Sequence, residues 1–148
     1  MNTTSTFLIA VRTANSLFES FYKIPVYIFS SNKLMTRVLT LVPMKGHSER
    51  VPNKNLRNFN GQPLCHWILN TLKHTSEVDD IVVNTDSDRI VKEAQQFDAT
   101  VLTRPERLQG DHVSMNKLIR HDVAQTDGDL YLQTHCTNPL LRPETIAE

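Results

Sequence analysis

The sequence predicts an α/β fold, a mainly parallel sheet with helices on both faces. Three observations carry this prediction. Short apolar runs, of which Ile81-Val-Val83 is the clearest, read as strands buried on both faces. Between them, apolar residues recur at helical spacing. The connections are short, and repeated strand–helix–strand units joined this way give parallel strands.

The elements follow in order from Val38. Val38-Leu-Thr-Leu-Val42 is the first strand and stops at Pro43. Asn60-Gly61 marks a turn, and Pro63 suits the start of a helix whose apolar positions are Leu64, Trp67, Ile68 and Leu72. After the strand Ile81–Val83, Asp86 or Ser87 can cap a helix with Ile90, Val91, Ala94 and Phe97 on one face. Thr100-Val-Leu102 is a third strand. Asp111 can cap a helix carrying Met115, Leu118, Ile119 and Val123, and Leu130-Tyr-Leu132 is a fourth strand. Pro143 opens a last helix.

A chain of 148 residues fits one domain with a real core. Its formal net charge of zero argues against a general nucleic-acid binder, which carries a basic excess. No apolar run approaches the roughly 20 residues of a membrane span. Cys65 and Cys136 form neither a zinc motif nor a disulfide framework, and the six histidines show no metal-ligand spacing. A reducing cytoplasm is the simplest setting.

The first 37 residues differ from the rest: they are rich in Ser, Thr and Asn, with Glu19 as their only acid. They are expected to lie outside the fold. Three explanations stand open: an extended reading frame whose natural start is Met35, disorder or a local helix, and a targeting segment. Residues 38–148 form the expected domain.

In sheets of this kind ligands sit beyond the carboxyl ends of the strands. The loop after the first strand carries Lys45, Gly46, Ser48, Arg50, Lys54 and Asn55, stiffened by Pro43 and Pro52. It reads either as a solvated basic turn or as a cradle for nucleotide phosphates. It is not a Walker A loop, since no Gly-Lys-Ser/Thr follows Gly46. Thr85-Asp86, Arg104 and Gln133–Asn138 fall after the other strands, at the same expected rim.

These loops resemble the acylneuraminate cytidylyltransferase family, which makes CMP-sialic acid and related CMP-sugars. Its first loop reads Pro-Ala-Arg-x-x-Ser-x-x-x-Pro-x-Lys-Asn; Pro43, Ser48, Pro52, Lys54 and Asn55 match in register, with Lys45 in place of arginine. Gly61-Gln-Pro-Leu64, Asn84-Thr-Asp86, Arg104-Pro-Glu-x-Leu-x-Gly-Asp111 and Leu132-Gln133 followed by Thr137-Asn-Pro-Leu140 continue the match in order. Thr134-His-Cys136 replaces a single proline, and Leu141 replaces an arginine.

The resemblance implies a Rossmann-like fold of the nucleotide-diphospho-sugar transferase type. It implies transfer of CMP from CTP to a sialic-acid-like acidic sugar, with release of pyrophosphate. Lys45 and Lys54 are the expected catalytic residues, neutralising the triphosphate. Ser48 and Asn55 would donate to phosphate oxygens, and the amides around Gly46 would approach the nucleotide closely, since glycine has no Cβ. Arg104 would hold the cytosine end, or else pair with Glu106 or Asp111. Ser114 would face the base and Gln133 the acceptor sugar. Asp86 could touch ribose or a metal-bound water, but is better read as a cap. Mg²⁺ is the expected cofactor. The family places its metal-binding aspartates and much of its dimer-forming surface later in the fold, and its full-length members are homodimers. This chain resembles the N-terminal portion alone, so truncation at the C-terminus is expected and no metal ligand is named. Two alternatives remain: a same-fold nucleotidyltransferase for another sugar, and a catalytically incomplete nucleotide-binding fragment.

Overall fold

A computed structural model of the chain describes residues 9–12, 36–48 and 51–147. Its strands are β1 (Ile9–Arg12), β2 (Val38–Pro43), β3 (Asn58–Phe59), β4 (Gln62–Pro63), β5 (Asp80–Thr85), β6 (Thr100–Thr103) and β7 (Leu130–Gln133). Its helices are α1 (Leu64–Lys73), α2 (Asp88–Gln95), α3 (Met115–Ala124) and α4 (Pro143–Ala147). Among the described residues the main sheet has five strands in the order β1-β7-β2-β5-β6. β2 pairs in parallel with β5 and β7, and β5 with β6. The predicted α/β architecture is therefore present.

Strand alternation builds two cores. Leu39 and Leu41 of β2 join Val82 and Tyr131 on one face, where Ile119 and Val123 of α3 pack. Val42, Ile81, Val83 and Leu132 face the other way, against Cys65, Ile68, Leu69 and Leu72 of α1 and Ile90 and Ala94 of α2. The buried face of α1 is wider than the sequence reading, which missed Cys65 and Leu69. Trp67 instead lies at its margin, where its indole N–H donates to the Phe59 carbonyl at 3.0 Å. The β3–β4 hairpin turns at Asn60 and Gly61, both at positive φ (50° and 93°), as a two-residue turn of this composition requires.

The boundary expected at residue 37 needs correction. β1 pairs antiparallel with β7, Ile9 opposite Gln133 and Arg12 opposite Leu130. Arg37 is also anchored: its Nε and Nη2 donate to Asp80 Oδ2 at 2.9 and 2.7 Å, and its Nη1 to the Asp127 carbonyl at 3.0 Å. The pairing partner of β1 lies far along the chain, and a four-residue strand ending in Arg12 does not reveal it. The remaining residues before Thr36 lie outside the described ones. Among the described residues no helix is long and apolar enough to cross a membrane.

β1 covers the outer edge of β7. Deleting residues 1–12 should speed amide hydrogen exchange at Leu130–Gln133 and leave Ile81–Val83 protected. Unchanged exchange in β7 would mean that β1 does not protect that edge.

Candidate active site

Parallel pairing brings the carboxyl ends of β2, β5 and β6 to one rim: Pro43 lies beside Asn84, and Thr85 beside Thr103. The next residues are tied across it. Met44 N–H donates to the Asn84 carbonyl at 2.9 Å, Arg104 N–H to the Thr85 carbonyl at 2.7 Å, and Thr134 N–H to the Leu41 carbonyl at 3.1 Å. The loops after all four parallel strands thus leave the sheet together.

The loop after β2 is braced from two sides. Gly46 N–H donates to Asp86 Oδ1 at 2.6 Å. A Cβ on Gly46 would stand 2.6 Å from Ser87 Cβ, so this approach requires glycine. Asn55 is buried and turns its amide nitrogen to the Lys45 carbonyl at 2.9 Å. Ser48 is buried as well. The Gly46 amide and the Asn55 side chain thus hold the loop's shape. Glu49 and Arg50 lie outside the described residues.

Lys45 and Lys54 are half-buried beside this frame. Lys45 forms an ion pair with Asp111, which joins the loop after β2 to the one before α3. Lys54 opens a short 3₁₀ turn, Lys54–Leu56. Its ammonium is close enough to the loop after β7 to draw the Cys136 thiol pKa down, although burial dominates and pushes that thiol up to about 12. Cys65 is likewise pushed up to about 11, mainly by burial. Both are buried, unreactive core thiols.

Arg104 is 4% exposed, and neither Glu106 nor Asp111 is its partner. Its Nε donates to Asn84 Oδ1 at 2.7 Å and its Nη2 to the Asn84 carbonyl at 3.0 Å. Asn84 Nδ2 in turn donates to Asp122 Oδ1 at 2.5 Å. Alternation explains the meeting: Val82 and Asn84 of β5 point to the α3 face, and Asp122 sits on the buried side of α3. Burial lowers the guanidinium pKa, while Asp86 and Asp122 support its charge. Burial raises the Asp122 carboxyl pKa, against the opposing pull of His121, Asn84 and Arg104.

The other expected residues are placed differently. Ser114 is exposed at the cap position of α3, although its side chain makes no cap hydrogen bond. Asp111 is therefore not that cap. Ser87, not Asp86, holds the cap position of α2. Gln133 is 3% exposed and donates its amide to the Thr134 carbonyl at 3.1 Å. A shallow concavity lined by Leu72, Lys73, Asp79, Asp80 and Asp98 lies at the start of β5, away from the rim.

The donor set does not fit Mg²⁺. Asp86 accepts from Gly46 and Asp111 pairs with Lys45. Among the described residues no group of three or more His, Cys, Asp or Glu could hold a metal ion.

The fold is α/β, with a cationic loop beyond the carboxyl ends of its parallel strands, where ligands of such sheets sit. Comparison with known proteins is narrower. The cytidylyltransferase family model matches residues 39–148, and the chain belongs to that family. It is 35% identical over 117 residues to a CMP-N,N′-diacetyllegionaminic acid synthase of Legionella pneumophila, covering 74% of this chain and 50% of the relative. It is 25% identical over 116 residues to a pseudaminic acid cytidylyltransferase of Campylobacter jejuni, with the same coverage. A solved CMP:2-keto-3-deoxy-manno-octonic acid synthetase complexed with CTP superposes with a TM-score of 0.65 at 22% identity. That match covers 75% of this chain and 44% of the other, and supports the fold. The chain spans about half the length of these curated relatives.

Asp122 gives the site a pH signature. With its folded pKa raised, its charged form is costly at neutral pH. That cost is relieved as pH falls through the raised value toward the ordinary carboxylate range. The thermal midpoint of wild type minus that of Asp122→Asn should therefore grow on acidification. A constant or shrinking difference would contradict the raised pKa. Gly46→Ala should cost about 1–3 kcal/mol through overpacking, with recovery in Gly46→Ala/Ser87→Gly. Equal stability of wild type and Gly46→Ala in denaturant titration would show that the loop yields freely.

Proposed function

We propose that this chain supplies the nucleotide-binding portion of a cytidylyltransferase that joins CMP from CTP to an acidic sugar. The observation that carries the reading is that the family-matched segment brings Lys45, Lys54 and Arg104 to one carboxyl rim. The names of similar proteins support the substrate class. They include enzymes for pseudaminic acid, N,N′-diacetyllegionaminic acid, N-acylneuraminate and 3-deoxy-manno-octulosonate, all acidic sugars. A sialic-acid-like sugar is the finer reading.

In this reaction a sugar hydroxyl attacks the α-phosphate of CTP and pyrophosphate departs. Lys45 and Lys54 hold the triphosphate as ammonium point charges, lowering the cost of charge gathered on the phosphoryl group. CTP entry exchanges the Lys45–Asp111 pair for a Lys45–phosphate contact. Both partners of that pair are about a third exposed, so its contribution is small, about 0–1 kcal/mol. A multiply charged phosphate outcompetes it. Arg104 presents the free edge of its guanidinium toward the base end. Thr134-His-Cys136, where the family has one proline, changes the loop expected to meet the sugar.

A second reading is nucleotide binding without turnover. It is favoured by the engagement of Asp86 with Gly46 and of Asp111 with Lys45, which leaves neither carboxylate free at the rim.

Calorimetry with CTP tests the phosphate role. Lys54→Ala should weaken CTP binding by about tenfold to a hundredfold and leave cytidine binding unchanged. Asp111→Asn frees Lys45 and should strengthen CTP binding by up to about fivefold. Equal CTP affinity in wild type and Lys54→Ala would remove the phosphate role. Pyrophosphate release with CTP and an acidic sugar separates the two readings: turnover supports the transferase, and binding alone supports the second.

A further inference from the structure

We propose that Asp122 and Asn84 are positioning residues for Arg104, acting together to aim its guanidinium at the nucleotide rim. This rests on the functional reading above, which gives Arg104 a ligand to meet. Asp122 belongs to none of the rim loops. It lies on α3, 1% exposed, in contact with Asn84, itself fully buried.

The chemistry of the chain of bonds is directional. A carboxylate only accepts and a guanidinium only donates, whereas an amide side chain can do either with its two ends. Asp122 takes the amide nitrogen of Asn84, which leaves the amide oxygen to face Arg104 Nε at 2.7 Å. Arg104 Nε, itself a donor, selects the amide oxygen, and Asp122, an acceptor, selects the amide nitrogen and holds that end in place. A single orientation satisfies all three groups.

The result is a guanidinium gripped along one edge. Nε and Nη2 are engaged by Asn84, and the Arg104 carbonyl accepts from Gln109 Nε2 at 3.1 Å. A guanidinium has five N–H donors, so both on Nη1 and the second on Nη2 are left over. Among the described residues the only fully buried side-chain polar atom without a partner is Thr40 Oγ1, so Nη1 is not sealed in the core. It is the edge left for an acceptor that reaches Arg104. A merely structural role, a countercharge for a buried arginine, would need Asp122 but not the donor direction.

The test reverses that direction while keeping the charge. Asn84→Asp alone sets two carboxylates face to face; Asp122→Leu removes the acceptor at similar size. In the double variant Asn84→Asp/Asp122→Asn, the carboxylate moved to position 84 accepts from both Arg104 and the amide now on α3. Two measurements are made on the whole chain. One is solvent exchange of the Arg104 Nε–H proton by NMR, assigned with Arg104→Lys. The other is preference for CTP over UTP and ATP by calorimetry. Asp122→Leu should speed the exchange about tenfold or more and erode the preference, and the double variant should keep the exchange slow and the preference intact. Lower thermal stability in Asp122→Leu with unchanged Nε–H exchange would overturn the proposal. So would failure of the double variant, if folded, to recover the slow exchange. If exchange follows the prediction while wild type shows no preference for CTP, the positioning pair stands and the functional reading fails.

Discussion

The parallel register of β2 with β5 and β7 is the constraint on which the rest depends. A parallel sheet sends every strand in the same direction, so whatever follows the strands collects at one edge. In this chain that edge receives the Lys45 loop, Asp86, Arg104 and Thr134. Local sequence makes each loop, but only the register makes them neighbours. A slip of one residue in β5 would turn Asn84 toward α1 and α2, away from Asp122, and leave the Arg104 cation buried without its partner.

At the rim, rigidity and charge are divided among different residues. Glycine, two amides and a carboxylate hold the shape: Gly46 against Ser87, Asp86 on the Gly46 amide, Asn55 on the Lys45 carbonyl, and Asn84 on Arg104. The cations are left to interact outward. Lys45 reaches a partner in Asp111 that a phosphate can displace at small cost, because the pair is partly solvated. The Arg104 network is different in kind. It is nearly sealed from water, where each unmade bond costs more than the same bond contributes on the surface.

Much of this was legible in the sequence. The four parallel strands, the four helices and the rim position of Lys45, Lys54 and Arg104 follow from period, turn residues and strand order. The family followed from motifs arranged in sequence. What stayed hidden was pairing between distant residues. Asp122 looks like any polar position on an amphipathic helix until β5 is known to place Asn84 beneath it. Gln133 and Asn55 were assigned outward by motif, while burial and backbone carbonyls claim them. The antiparallel strand Ile9–Arg12 was missed because its partner β7 lies far along the chain. Asp111 and Asp86 were read as helix caps because local spacing allows it. The actual partners, Lys45 and Gly46, come from another loop.

The most direct measurement is a crystal structure of the chain with CTP. The account predicts the triphosphate along the loop after β2, with Lys45 released from Asp111 and, together with Lys54, in contact with phosphate oxygens. Arg104 Nη1 should lie on the base side, with Asn84 and Asp122 unmoved. A nucleotide bound elsewhere, or at this rim with Lys45 still on Asp111 and Lys54 turned away, would contradict it.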